Sequence, residues 1–115
     1  MIVVCSNSLL RALINKLTDH AKTVFGDRLK NVILYGSYAR GDYDDESDID
    51  VMIIIDMPPE ELNRYRWDMS CFTADLNIEN DVLISVKLQS LQLLKQWEDT
   101  LPFYKNVLKD GVIYA

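Results

Sequence analysis

A glycine–serine pair, a ten-residue spacer and two alternating aspartates hold most of the chemistry that this sequence can offer. Gly36-Ser37 follows the apolar run Val32-Ile33-Leu34-Tyr35, and Asp48-Ile49-Asp50 opens a second run, Val51-Met52-Ile53-Ile54-Ile55. The pattern predicts a strand, a tight glycine turn, a polar loop and a second strand. On a strand, residues i and i+2 share a face about 6–7 Å apart. Asp48 and Asp50 therefore aim two carboxylates one way, while Ile49 joins the core. Such a pair suits hard cations such as Mg²⁺, which pair carboxylates with substrate phosphates. Two such ions can activate an attacking oxygen and neutralise a leaving one. Gly36 lets a phosphate approach the backbone, the turn amides form an anion nest, and the Ser37 hydroxyl adds a donor.

The spacer is acidic, and much of that acidity has a plainer reading. Residues 42–50 carry six carboxylates: Asp42, Asp44, Asp45, Glu46, Asp48 and Asp50. Asp42 to Glu46 read as a solvated loop. Asp48 and Asp50 stand where a strand should begin, and crowding like charges there is unfavourable without a cation. Arg40 has two readings, contact with phosphate or pairing with Asp42 or Asp44 to hold the loop.

Gly36-Ser37, ten residues and Asp48-Ile49-Asp50 resemble the signature of the nucleotidyltransferase superfamily that includes DNA polymerase beta. The longer form, GSYARGD…SDID, is similar to the minimal nucleotidyltransferases, short proteins often paired with a HEPN-domain partner in toxin–antitoxin modules. The resemblance implies a third carboxylate from the following strand. Asp81, at the start of Asp81-Val82-Leu83-Ile84, is the best candidate by position, with Asp75 and Glu79 as rivals. It also implies phosphate binding by Gly36, Ser37 and Arg40, and metal binding by Asp48, Asp50 and Asp81.

The elements that must position these residues can be read in order. Leu9, Leu10, Leu13, Ile14, Leu17, Ala21 and Val24 predict an amphipathic helix over 8–25, stopped at Gly26-Asp27. The first strand covers 31–35, with one helical turn expected at 37–40. The second covers 48–55 and ends at Asp56-Met57-Pro58-Pro59. Leu62, Tyr65, Met69, Phe72 and Leu76 predict a helix over 60–76, with Trp67 off its stripe. A third strand is expected over 81–88 and a helix over 89–100. A short helix over 102–110 and a brief edge strand at 112–114 follow. Lys87 reads as solvated rather than triphosphate-binding, and His20 as a surface residue.

Composition bounds the function classes. The 115 residues predict one domain, with 49% hydrophobic residues supplying a core. Mean hydropathy is −0.05, and no apolar run approaches the ~18–20 residues of a membrane span. With no basic segment before the apolar start, the chain is expected to be cytoplasmic. Cys5 and Cys71 lack metal spacing and read as free thiols. A net charge of −6 disfavours stable nucleic-acid binding, which needs basic residues at phosphates. It does not oppose nucleotide binding, where metal ions supply positive charge.

The expected fold is an α/β two-layer domain spanning 1–115, a mixed sheet with helices on one face and the carboxylates in a cleft on the other. The resemblance identifies this with the palm-like fold of polymerase beta. It implies transfer of AMP from ATP, with two Mg²⁺ ions, to a tyrosine of a HEPN-type RNase toxin, so that the chain acts as an antitoxin. No second, acceptor-binding domain is expected in 115 residues, so a partner must complete that site or be the acceptor. Two other readings stand beside it: a non-catalytic antitoxin that neutralises the toxin by binding, and nucleotidyl transfer to a small-molecule hydroxyl.

Overall fold

In a computed structural model the described residues are 7–41, 48–97, 105, 107, 109 and 111–115. The acidic loop Asp42–Glu46, Cys5 and most of the expected 102–110 helix lie outside them. Lys105, Val107 and Lys109 are helical.

The chain alternates helices and strands. Helix α1 is Asn7–Phe25, and a short 3₁₀ turn, Gly26–Arg28, leads into β1, Leu29–Tyr35. A single helical turn, α2, Ser37–Arg40, precedes β2, Ile49–Ile55. Pro59 opens α3, Pro59–Leu62, and a 3₁₀ turn over Asn63–Tyr65 separates it from α4, Arg66–Asn80. β3 is Ile84–Ser90, α5 is Leu91–Trp97 and β4 is Val112–Ile113.

The sheet order is β3-β2-β1-β4. β1 runs antiparallel to both β2 and β4, whereas β2 and β3 are parallel. The parallel crossover is made by α3 and α4, as a βαβ unit requires. The mixed sheet of the expected α/β fold is therefore present.

Strand alternation divides the core in two. Val51, Ile53 and Ile55 of β2, with Val32 and Leu34 of β1, pack against Leu13, Ile14 and Leu17 of α1 and Met69 and Leu76 of α4. Ile33, Met52 and Ile54 face the other way and pack against Leu94 of α5 and Val107. All of these side chains are buried. Each contributes about 1.5–3 kcal/mol relative to an exposed position. The second face is thus covered at one end. Tyr35, which pairs with Asp50, and Leu91 pack against the edges of this second cluster.

The element boundaries differ most from the sequence reading around Asp81. The helix predicted over 60–76 is two helices, and the second runs on to Asn80. The strand predicted over 81–88 begins at Ile84. The cause is local. Asp81 takes a left-handed conformation (φ 51°, ψ 50°) and caps α4, a role that aspartate tolerates better than most residues. The Asn77 side chain then fastens the next turn. Its Nδ2 donates to the Ile84 carbonyl at 3.2 Å, and the Ile84 amide donates to its Oδ1 at 2.8 Å. Leading the chain into α5, the Ser90 hydroxyl accepts a hydrogen bond from the Leu93 amide at 3.3 Å.

Candidate active site

The glycine turn brings the two ends of the motif together. Gly36 has φ 75° and ψ −155°, a conformation open to glycine and costly for L side chains. Its backbone also lies against Asp50. A Cβ built on Gly36 would collide with Asp50 Oδ2 and lie 3.3 Å from Asp50 Cγ. A side chain at position 36 would be strained by its φ and would have to displace the Asp50 carboxylate.

After Gly36 the chain makes one turn of helix. The amides of Ala39 and Arg40 donate to the Gly36 carbonyl at 3.1 and 3.2 Å, and Gly41, in the left-handed region, closes the turn by donating to Ser37. The residue at its N-terminal end, beside Asp50, is Gly36, which has no side chain to cap the turn. The expected turn at 37–40 is therefore formed, with Ser37 and Arg40 at its two ends.

The second half of the site is set by register. Asp50 pairs with Tyr35 on β1 and Ser85 on β3, so these side chains share a face. Asp48 precedes the strand and is exposed, and the next residue is fixed to β3 by the Ile49 amide donating to the Leu83 carbonyl at 2.9 Å. Asp50 is half-buried.

The electrostatics follow from this placement. Burial pushes the Asp50 carboxyl above the usual carboxylate range, and the negative charge of Asp48 pushes it further. Arg40 pulls the other way. Tyr35 is also raised, by burial and by the charge of Asp50. A partly buried carboxylate beside another carboxylate is short of positive charge, and a divalent cation supplies it. Together with the side-chain-free approach at Gly36, the donor set fits hard cations carrying phosphate ligands.

Asp81 is placed differently from the pair. It is exposed, in the turn ahead of β3 rather than in the strand. Among the described residues, no three histidine, cysteine or acidic side chains gather closely enough to hold a metal ion. Asp75 and Glu79 are exposed on α4, which packs on the sheet face opposite Asp50. The β3 residue in register with Asp50 is Ser85, and Lys87 is next on the same face. From the sequence, Ser85 and Lys87 either point outward or line a cleft, because alternation signals a shared face and not which face it is. Arg40 was expected to meet phosphate or a loop acid, and its action on Asp50 emerges only from the fold.

His20 lies outside this site. It stacks on Phe72 with ring centroids 4.0 Å apart, and its Nε2 is 2.8 Å from Asp68 Oδ2. It fastens α1 to α4. Cys71 is a free, exposed thiol. Among the described residues no helix is long and apolar enough to cross a membrane.

Comparison with known proteins agrees with this geometry. The family model described as Nucleotidyltransferase domain matches residues 14–112. "Putative protein adenylyltransferase MJ0604" of Methanocaldococcus jannaschii is 34% identical over 102 residues, covering 88% of this chain and 94% of that one. Among solved structures, a "putative nucleotidyltransferase" from Sulfolobus solfataricus aligns with a TM-score of 0.60 at 22% identity, covering 91% of this chain and 78% of that one. A toxin–antitoxin solved with AMP-PNP aligns with a TM-score of 0.53, also at 22% identity, covering 90% and 70%. These two structures share the fold. With a family model over most of its length and a relative matched over nearly all of its own, the chain belongs to the nucleotidyltransferase family and is an enzyme of that class.

Proposed function

We propose that this enzyme transfers AMP from ATP to a tyrosine of a HEPN-type RNase toxin, and so acts as the toxin's antitoxin. The observation that carries the proposal is the contact of the Asp50 carboxylate with the bare backbone of Gly36, which puts a carboxylate pair beside a turn able to receive phosphate. The name of the Methanocaldococcus relative supports a protein as acceptor, and the toxin–antitoxin fold neighbour supports a toxin.

In the proposed reaction the tyrosine hydroxyl oxygen attacks the α-phosphorus of ATP. A new P–O bond forms, the bond from the α-phosphorus to the bridging oxygen of the β-phosphate breaks, and pyrophosphate leaves. The hydroxyl proton passes to a nearby carboxylate or to water. Asp48 and Asp50 would hold two Mg²⁺ ions, which supply the charge neutralisation and oxygen activation that the reaction needs. The backbone of Gly36 and the hydroxyl of Ser37 receive the β- and γ-phosphates. Arg40 favours the ionised form of Asp50, the form that can act as a ligand. Most of the catalysis comes from positioning and charge, so few protein groups are required.

The pair carries this reading by itself. In the same proposal Asp81 would complete one metal site and orient the acceptor.

The experiment is intact-mass measurement of the toxin, purified from the adjacent gene, after incubation with this protein and Mg-ATP. Discrete additions of AMP are expected with the wild type and none with Asp48→Ala/Asp50→Ala. A toxin that stays unmodified yet co-elutes with both forms would support neutralisation by binding instead.

A further inference from the structure

Helix α4 has a second apolar face, turned away from the core. At about 100° per residue, Leu76, Met69 and Thr73 form the side that meets the sheet, and all three are buried. On the far side Ala74, Trp67, Ile78 and Cys71 fall within a strip ~60° wide. All four are exposed, Trp67 at 79% and Ile78 at 80%. Packing among the described residues does not explain a tryptophan and an isoleucine so placed, about three turns apart with Cys71 and Ala74 between them.

The flanks of the strip differ. On one side stand Asp75, Asp68 and Glu79, all exposed. Asp68 is held by His20, whereas Asp75 and Glu79 have no ion-pair partner among the described residues. On the other side Arg66, Ser70 and Asn77 border a groove of about 320 Å³ between α4 and β3, floored by Ile84, Val86 and Leu88. β3 is the outermost strand of the sheet, so the strip, the groove and a sheet edge form one continuous surface.

We propose that this surface docks a helix of a protein partner, with apolar side chains along its middle and lysine or arginine along the flank that meets Asp75 and Glu79. The charge selects the occupant. Three carboxylates beside the strip repel phosphate groups, which disfavours lipid headgroups and nucleic acid. They also disfavour a second copy docked antiparallel. In a two-fold antiparallel helix pair each flank meets its own copy, which would set these acids against the same acids. A basic amphipathic helix satisfies both the strip and the flank. On the proposed function, on which this identification rests, the helix belongs to the toxin. α4 lies on the sheet face opposite Asp50, so a helix seated there leaves the carboxylate site open to ATP and to an acceptor.

The test titrates purified toxin against the wild type, Trp67→Ala/Ile78→Ser and Asp75→Lys/Glu79→Lys, by calorimetry over a range of salt. The substituted side chains are exposed, so unchanged melting and unchanged Mg-ATP binding are expected and serve as controls. Loss of the two apolar anchors should weaken toxin binding at least about thirty-fold. Charge reversal should weaken it about ten-fold at low salt, and the salt dependence of the wild type should disappear. Wild-type affinity in both variants overturns the proposal. If the wild type binds toxin through this surface but adds no AMP, the surface stands and the enzymatic reading falls. If AMP is added while both variants bind normally, the reverse holds. A wild type that neither binds nor modifies the toxin removes both.

Discussion

The carboxylate of Asp50 rests against the backbone of Gly36, so a side chain at position 36 would take the space that the carboxylate occupies. Gly36→Ala therefore combines an unfavourable φ with a collision. We expect about 1–3 kcal/mol of lost stability and a loss of activity of at least ten-fold, because the displaced group is Asp50 itself. Gly41 is the control. Its φ is 81°, but a Cβ there meets nothing within 4 Å. Gly41→Ala should cost about 1–2 kcal/mol with activity largely retained. Denaturant melts and initial rates on the two variants check this contrast.

Asp50→Asn should separate stability from activity. Burial and Asp48 raise the Asp50 carboxyl above its ordinary range. A carboxyl raised in the folded state binds protons more readily than in the unfolded chain, so stability falls as pH rises through that interval. At neutral pH without metal the ionised form is a burden, and Asp50→Asn should raise the melting temperature. The same variant should lose at least about a hundred-fold in nucleotidyl transfer. In the wild type, added Mg²⁺ should raise the melting temperature, and Asp48→Asn/Asp50→Asn should abolish that rise.

Arg40 acts on the same carboxyl with the opposite sign. Removing it by Arg40→Ala should raise the Asp50 carboxyl further. The acidic limb of the rate profile, where Asp50 gains its proton, should move to higher pH. A profile of kcat/KM against pH on wild type and variant reads this shift. A limb that stays in place would mean that Arg40 acts only at the phosphates.

Asp81 can be tested without disturbing the fold. Asparagine tolerates the left-handed backbone nearly as well as aspartate, so Asp81→Asn should melt as the wild type does. A fall in rate beyond about ten-fold would then report the carboxylate alone and support a ligand's part for it. An unchanged rate would leave Asp81 as the cap of α4.

Asn77 holds the start of β3 through both polar groups of Ile84. Asn77→Ala leaves a part-buried amide and carbonyl without partners, and should cost about 1–3 kcal/mol. Because β3 carries Ser85 beside Asp50, the rate should fall along with the denaturation midpoint. Faster amide exchange at Ile84 would confirm the cause.

The motif, its two flanking strands and the family were legible in the residues themselves. Gly36-Ser37 and Asp48-Ile49-Asp50 are local patterns. Apolar runs beside a glycine turn predict strands wherever they occur, and the stripe of α1 needs only its 3.6-residue period. The boundaries of α4 and β3 were not legible. A left-handed cap at Asp81 and the two hydrogen bonds of Asn77 outweigh the β-propensity of Val82 and Leu83, and no local pattern announces that balance.

Tertiary structure alone decided which groups meet. That Ser85 lies across from Asp50, that Arg40 tempers its charge, and that Trp67 and Ile78 are left outside the core all depend on strand register and on which face of α4 packs. These are contacts between residues distant in the chain. Local composition specifies an element's type and its apolar face, whereas the partner of each position is set only when the sheet forms and its two faces are packed.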